Sequence, residues 1–133
     1  MISQIIKCDG CKNSGELRIG QSYSEKKVVW YKSFRCASCG QAYEVDGDDT
    51  PEELRNLLLD EEGVHSVVLM DKKKRTFSIK VLRNTLGLSM EEVKDMLAKK
   101  DEVLFEGTST EAKFIENCLA KNGIESIIQS NSR

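Results

Sequence analysis

Two C-x2-C pairs, Cys8/Cys11 and Cys36/Cys39, with 24 residues between them, constrain this chain more than any other feature. A C-x2-C turn presents two thiolates on one side of a tetrahedron. A hairpin in the intervening segment brings the second pair to the opposite side. Zinc favours this arrangement, with sulfur at about 2.3 Å. The four cysteines are therefore expected to hold one structural Zn2+. Four thiolates close the coordination sphere and leave no position for a catalytic water. A redox dithiol or an iron centre is the alternative use of the same ligands. Gly40, directly after the second pair, supplies backbone freedom where the chain turns back.

The opening residues, MISQIIK, are too short and polar for a signal peptide, and no apolar stretch approaches a membrane span. The expectation is a reducing cytoplasm, where paired cysteines bind metal rather than form disulfides. Around the cysteines, residues 1–48 read as all-β. Residues 27–36 (KVVWYKSFRC) form the clearest strand, with Val28, Trp30 and Phe34 on one side. Residues 16–24 and 41–45 read as its neighbours. The pattern resembles a zinc ribbon over about residues 5–46. A core this small is marginal without a staple, so the metal is expected to supply much of its folding energy.

Charge bears on partners. Residues 1–49 hold 7 basic and 7 acidic side chains, and the remainder holds 13 and 15. Neither part is polybasic, which disfavours a duplex-DNA binder. Lys12, Arg18, Lys26, Lys27, Lys32 and Arg35, with Trp30 and Tyr31, could form a basic and aromatic surface for nucleic acid. The favoured reading makes Trp30 core and the cations solvated.

Asp46-Gly47-Asp48-Asp49 marks a boundary. Thr50-Pro51-Glu52-Glu53 reads as a capping box opening a helix with Leu54, Leu57 and Leu58 on one face, ending near Gly63. Residues 49–63 are thus a helical connector. Residues 64–133 then alternate element types. A strand is expected over 64–70 and a basic turn at Lys72–Arg75. Helices follow over 76–86, closed by Gly87, and from the Ser89/Glu92 capping box to about Lys99. A strand at 103–105, a helix from Thr108/Ser109 to Asn122-Gly123 and a strand at 124–129 complete the chain. The fold class is α+β: a β-rich zinc ribbon followed by a small β-α-α-β-α-β domain.

At 100° per residue, Phe77, Val81 and Thr85 define one side of the 76–86 helix, with Leu82 beside them. Ile79 falls away from that side and groups with Thr76, Lys80 and Arg83. A lone aliphatic among cations suits protein docking, because apolar contact gives affinity while charge steers approach. Alternatively Ile79 is a half-buried boundary residue and the cations are ordinary surface.

Ile79-Lys80, Arg83, Gly87-Leu88, Glu92, Lys94-Asp95, Glu106-Gly107, Ser109, Ala112, Leu119 and Gly123 resemble the C-terminal domain of the bacterial large-subunit ribosomal stalk protein. The resemblance covers about residues 65–130. It runs without a gap from Arg75 to Ser109 and needs one deletion before Ala112. It implies a β-α-α-β-α-β fold that recruits translational GTPases, such as elongation factors G and Tu, through its first two helices. Carried over by residue, the face is Ile79, Lys80, Arg83 and Lys94. Arg75 replaces a lysine, Thr76 replaces a valine, and Asp101 stands where the family often has proline. The stalk protein's dimerisation domain and alanine-rich linker have no counterpart; a ribbon stands in their place.

The resulting expectation is a non-catalytic protein-interaction module docking a translational GTPase or the ribosome. Competing readings are a small immunity or antagonist protein neutralising a bacterial toxin or defence enzyme, and a protease adaptor, since one such adaptor shares this fold. No phosphate loop, nucleophile elbow or metal-hydrolase motif occurs, so neither an enzyme nor a small-molecule substrate is expected. Cys118, grouped with Ile115 and Leu119, reads as core. His65, the only histidine, has no partner nearby in sequence.

Overall fold

The computed structural model describes residues 1–98 and 103–132. Among them are two antiparallel sheets and four helices, a mixed α+β arrangement. The N-terminal sheet is a meander of β1 (Ile2–Lys7), β2 (Ser14–Tyr23), β3 (Val28–Arg35) and β4 (Ala42–Gly47), in that order across the sheet. Residues opposite each other in a ladder share a face. Leu17 lies opposite Phe34, Ile19 opposite Ile2, and Gln21 opposite Trp30. This inner face carries the sheet's buried hydrophobic side chains: Ile2, Leu17, Ile19 and Phe34. Strand β1 is not anticipated by sequence pattern. It is short, without clean alternation, and its Ile5 is 71% exposed.

Helix α1 (Glu52–Glu62) covers one end of this face, with Leu54 and Leu58 buried and Leu57 packed beside them. Its expected capping box does not form. The Thr50 hydroxyl instead accepts a hydrogen bond from Gln21 Nε2 at 2.9 Å, and Pro51 occupies the N-cap without a side-chain cap. A tertiary contact has taken the capping group. Gly63 ends the helix at φ 84°, donating to the Leu59 carbonyl.

The second half comprises β5 (Val64–Leu69), a 3-10 turn (Lys72–Lys74), α2 (Arg75–Leu86), α3 (Met90–Ala98), β6 (Val103–Gly107), α4 (Ser109–Lys121) and β7 (Ser126–Asn131). The strands order as β6-β5-β7. The Ser89/Glu92 capping box forms as read, and Thr108, read only as a cap, makes a further box with Glu111. The helix end expected at Lys99, and Asp101, lie outside the described residues.

Helix α2 is rotated relative to its expected orientation. Ser78, Ile79, Val81 and Leu82 are buried, whereas Phe77 is 50% exposed. Ile79 is a core residue, 5% exposed, and not a surface aliphatic. Ser78 tolerates burial because its hydroxyl donates to the Lys74 carbonyl at 2.7 Å, satisfying itself within the helix. A serine counted as polar thus occupies the buried arc, and that arc shifts toward Ile79.

The two halves pack together. Val28 of β3 lies against the C-terminal core, and the Tyr23 and Phe114 rings sit 6.2 Å apart. Thr108 Oγ1 donates to Gln21 Oε1 at 2.6 Å. Arg55 of α1 donates to both carboxylate oxygens of Glu111 at 3.0–3.1 Å. The inner face of the N-terminal sheet is thus shared between α1 at one end and α4 at the other.

Candidate metal centre and partner face

Cys8 follows β1, and Cys36 follows β3. Each opens a turn of the same design. The Cys8 N–H donates to the Asn13 carbonyl at 2.7 Å, and the Lys12 N–H donates to the Cys8 carbonyl at 3.0 Å. In the second turn Cys36 N–H donates to Gln41 O and Gly40 N–H to Cys36 O, both at 2.9 Å. The fourth residue after the leading cysteine is left-handed in both turns, Gly40 at φ 78° and Lys12 at φ 65°. Lys12 is the non-glycine residue with positive φ among those described. An L side chain there costs about 1–2 kcal/mol.

The turns bring four sulfurs within 4.8 Å of one another. Across the pair, Cys8 Sγ lies 3.7 Å from Cys39 Sγ, and Cys11 Sγ lies 3.5 Å from Cys36 Sγ. A disulfide requires about 2.05 Å. Four sulfurs about 2.3 Å from a central ion stand about 3.8 Å apart. The cluster therefore has the spacing of a tetrahedral metal site. Cys8 and Cys36 are buried, Cys11 is half-buried and Cys39 is exposed. Gln41 places Oε1 3.3 Å from Cys8 Sγ, a contact across the two turns with no signal in the sequence.

The electrostatics point the same way. The Cys39 amide, assisted by the Cys11 sulfur and the Ser38 amide, lowers Cys36 to about 7 against the effect of desolvation. The Gln41 amide lowers Cys39, but desolvation and the three neighbouring sulfurs outweigh it and push that thiol up to about 11. Once one sulfur in so small a volume is ionised, the next resists. A cation at the centre removes that penalty.

The residues expected to contact a partner do not share one environment. Thr76, Lys80 and Arg83 are exposed and recur at i, i+4, i+7 along α2. Lys94 is exposed on α3, between Met90 and Leu97, which are 54% and 53% exposed. Arg75 points elsewhere: it is half-buried and donates through Nη2 to the Met96 carbonyl at 2.9 Å, fastening the start of α2 to the end of α3. Ile79 is in the core, and Phe77 is the exposed apolar residue beside the cations.

The basic and aromatic residues of the N-terminal sheet do not share one face. Trp30 and Lys32 lie on the inner face with Phe34, whereas Tyr31 and Arg35 alternate to the outer face with Arg18. Arg18 pairs with Glu16 at 2.6 Å, and Lys27 pairs with Asp48 at 2.9 Å. Cys118 is buried, and burial pushes its thiol up. No helix among the described residues is long and apolar enough to cross a membrane. No family model, curated protein or solved structure matches the chain.

Proposed function

We propose that this chain is a non-catalytic adaptor of the translation machinery, in which a zinc ribbon is fixed to a stalk-like domain that docks a translational GTPase or the ribosome. The observation that carries the reading is the exposed stripe of α2, Thr76, Lys80 and Arg83, with Phe77 beside it and Lys94 on α3. Among the described residues no ion pair holds Lys80, Arg83 or Lys94. Their charge is available to an acidic partner, and Phe77 supplies the apolar contact that the reading from sequence assigned to Ile79. The resemblance to the stalk protein names the partner class.

Cys8, Cys11, Cys36 and Cys39 hold one structural zinc ion. An all-thiolate tetrahedron suits zinc, and such a site serves folding rather than chemistry. Arg75 acts here by holding α2 against α3 instead of touching the partner.

Capture of purified elongation factor G, elongation factor Tu and ribosomes on the immobilised full chain tests the reading. Wild type is expected to retain at least one of them. Lys80→Glu with Arg83→Glu should abolish retention, and Phe77→Ala should weaken it. Unchanged capture by the double variant would remove this face from the proposal.

A further inference from the structure

Strand β4 is one of the two edge strands of the N-terminal sheet, and no described strand pairs with its free edge. Tyr43 and Val45 lie on the inner face, opposite Phe34 and Lys32, yet remain 39% and 43% exposed, because the buried cluster with α1 draws on β1, β2 and β3 and on no residue of β4. Glu44 and Asp46 alternate to the outer face, opposite Ser33 and Tyr31. Both are exposed, and no ion pair among the described residues takes either of them. The nearest cation on the outer face of β3 is Arg35, opposite Ala42 and diagonal to Glu44. The edge therefore reads acidic on one face and apolar on the other.

An open edge is a template for a further strand. The charges decide which strand. Two copies of β4 side by side would set acidic residues against acidic residues, which is unfavourable in a ladder. A segment with lysine or arginine at every second position meets Glu44 and Asp46 favourably. Its alternate residues then fall over Tyr43 and Val45. Lys32 beside Val45 discourages a cation there, so those residues should be apolar.

We propose that the open edge of β4 takes up an extended basic segment of a partner protein by strand addition, with apolar side chains over Tyr43 and Val45 and cations opposite Glu44 and Asp46. This contact is separate from the α2 face and stands whether or not that face binds a GTPase. The same two charges that keep copies of this chain apart select the incoming strand.

The test uses the metal-loaded full chain, isotope-labelled, with two short acetylated peptides, one alternating lysine with valine and the other glutamate with valine. The lysine peptide should shift the amides of residues 42–47 and slow their hydrogen exchange. The glutamate peptide should bind at least about tenfold more weakly. Glu44→Lys with Asp46→Lys should reverse that order. A lysine peptide N-methylated at every residue, unable to donate to the ladder from either edge, should not bind. The proposal falls if the shifts map elsewhere, if the two peptides bind equally, if N-methylation has no effect, or if neither peptide binds at millimolar concentration. The peptide comparison needs no variant, so misfolding of the double variant would not rescue the proposal.

Discussion

The two sheets of this molecule are held together by different means. Among the described residues, thirteen buried side chains form one core in the C-terminal half, drawn from all three of its strands or their flanks and from α2, α3 and α4. The N-terminal core has eight. Two of those are cysteines of the four-sulfur cluster and two are leucines from α1, so the sheet itself contributes Ile2, Leu17, Ile19 and Phe34. Four apolar side chains are too few to fix four strands, because ordering each residue's backbone costs about 1–2 kcal/mol. The C-terminal half rests on burial; in the N-terminal half, an ion shared by the two cysteine turns would supply what burial does not.

Metal removal breaks this comparison most directly. Chelation, or Cys36→Ser, should unfold the N-terminal sheet, since apparent zinc binding to structural sites is about 10–16 kcal/mol. Trp30 fluorescence should shift to the red while amides at Val67, Leu82 and Leu119 keep their hydrogen-exchange protection. Equal loss of protection in both halves would show that the metal supports the whole molecule.

The reciprocal experiment is Leu82→Ala in the C-terminal core, where Leu82 is 0% exposed. It should cost about 2–5 kcal/mol in denaturant unfolding. Metal content, read by thiol titration with and without chelator, should not change. Loss of metal in this variant would indicate that the C-terminal core carries the ribbon.

The join between the halves is sharpened by Glu111. Burial raises its carboxyl, but the Arg55 hydrogen bonds and charge, the Thr108 amide and Gln21 outweigh that and hold it below the ordinary glutamate value. A group depressed in the folded state contributes stability above its unfolded pKa and loses it as pH falls through the folded value. Stability should therefore drop on the acid side of the ordinary glutamate range. Glu111→Gln should flatten that limb and cost about 1 kcal/mol at neutral pH, Arg55 being 37% exposed. An unchanged acid limb would assign the pH dependence to other carboxylates.

The smallest effect separates the two cysteine turns. Lys12→Gly removes the left-handed strain that Gly40 avoids in the second turn, at the expense of a more flexible unfolded chain. The net gain should be below about 1 kcal/mol, seen as slower metal release to a chelator. Faster release would mean that the Lys12 side chain has a role beyond its backbone geometry.

How much of this was legible in the sequence depended on whether the signal was local. The four cysteines announce a metal site because ligand spacing is written in the chain, and the structure brings their sulfurs together. Gly63 and Gly87, both at positive φ, end their helices where the sequence placed them. The Ser89/Glu92 box and the Thr108 cap are equally local. The Thr50 box has the same pattern and fails, because a residue 29 positions away claims the hydroxyl. The orientation of α2 fails for a related reason: periodicity ranks Phe77 above Ser78, but packing against α4 and α3 sets the buried arc, and Ser78 satisfies its own hydroxyl. Gln41 beside Cys8, and the exposed inner face of β4, are tertiary facts with no local signature.

The bonds around Gln21 have one more property. The Glu111 N–H donates to the Thr108 hydroxyl, that hydroxyl donates to Gln21 Oε1, and Gln21 Nε2 donates to the Thr50 hydroxyl. Every donor in this series points the same way, from the first turn of α4 across β2 to the entrance of α1. Successive bonds in such a series polarise one another, and it begins at the electropositive end of a helix. The contact between the halves therefore has a sense as well as a position. Gln21→Glu keeps the shape but removes the donor that faces Thr50, so the run would stop halfway, and the two halves would meet through an arrow broken at its middle.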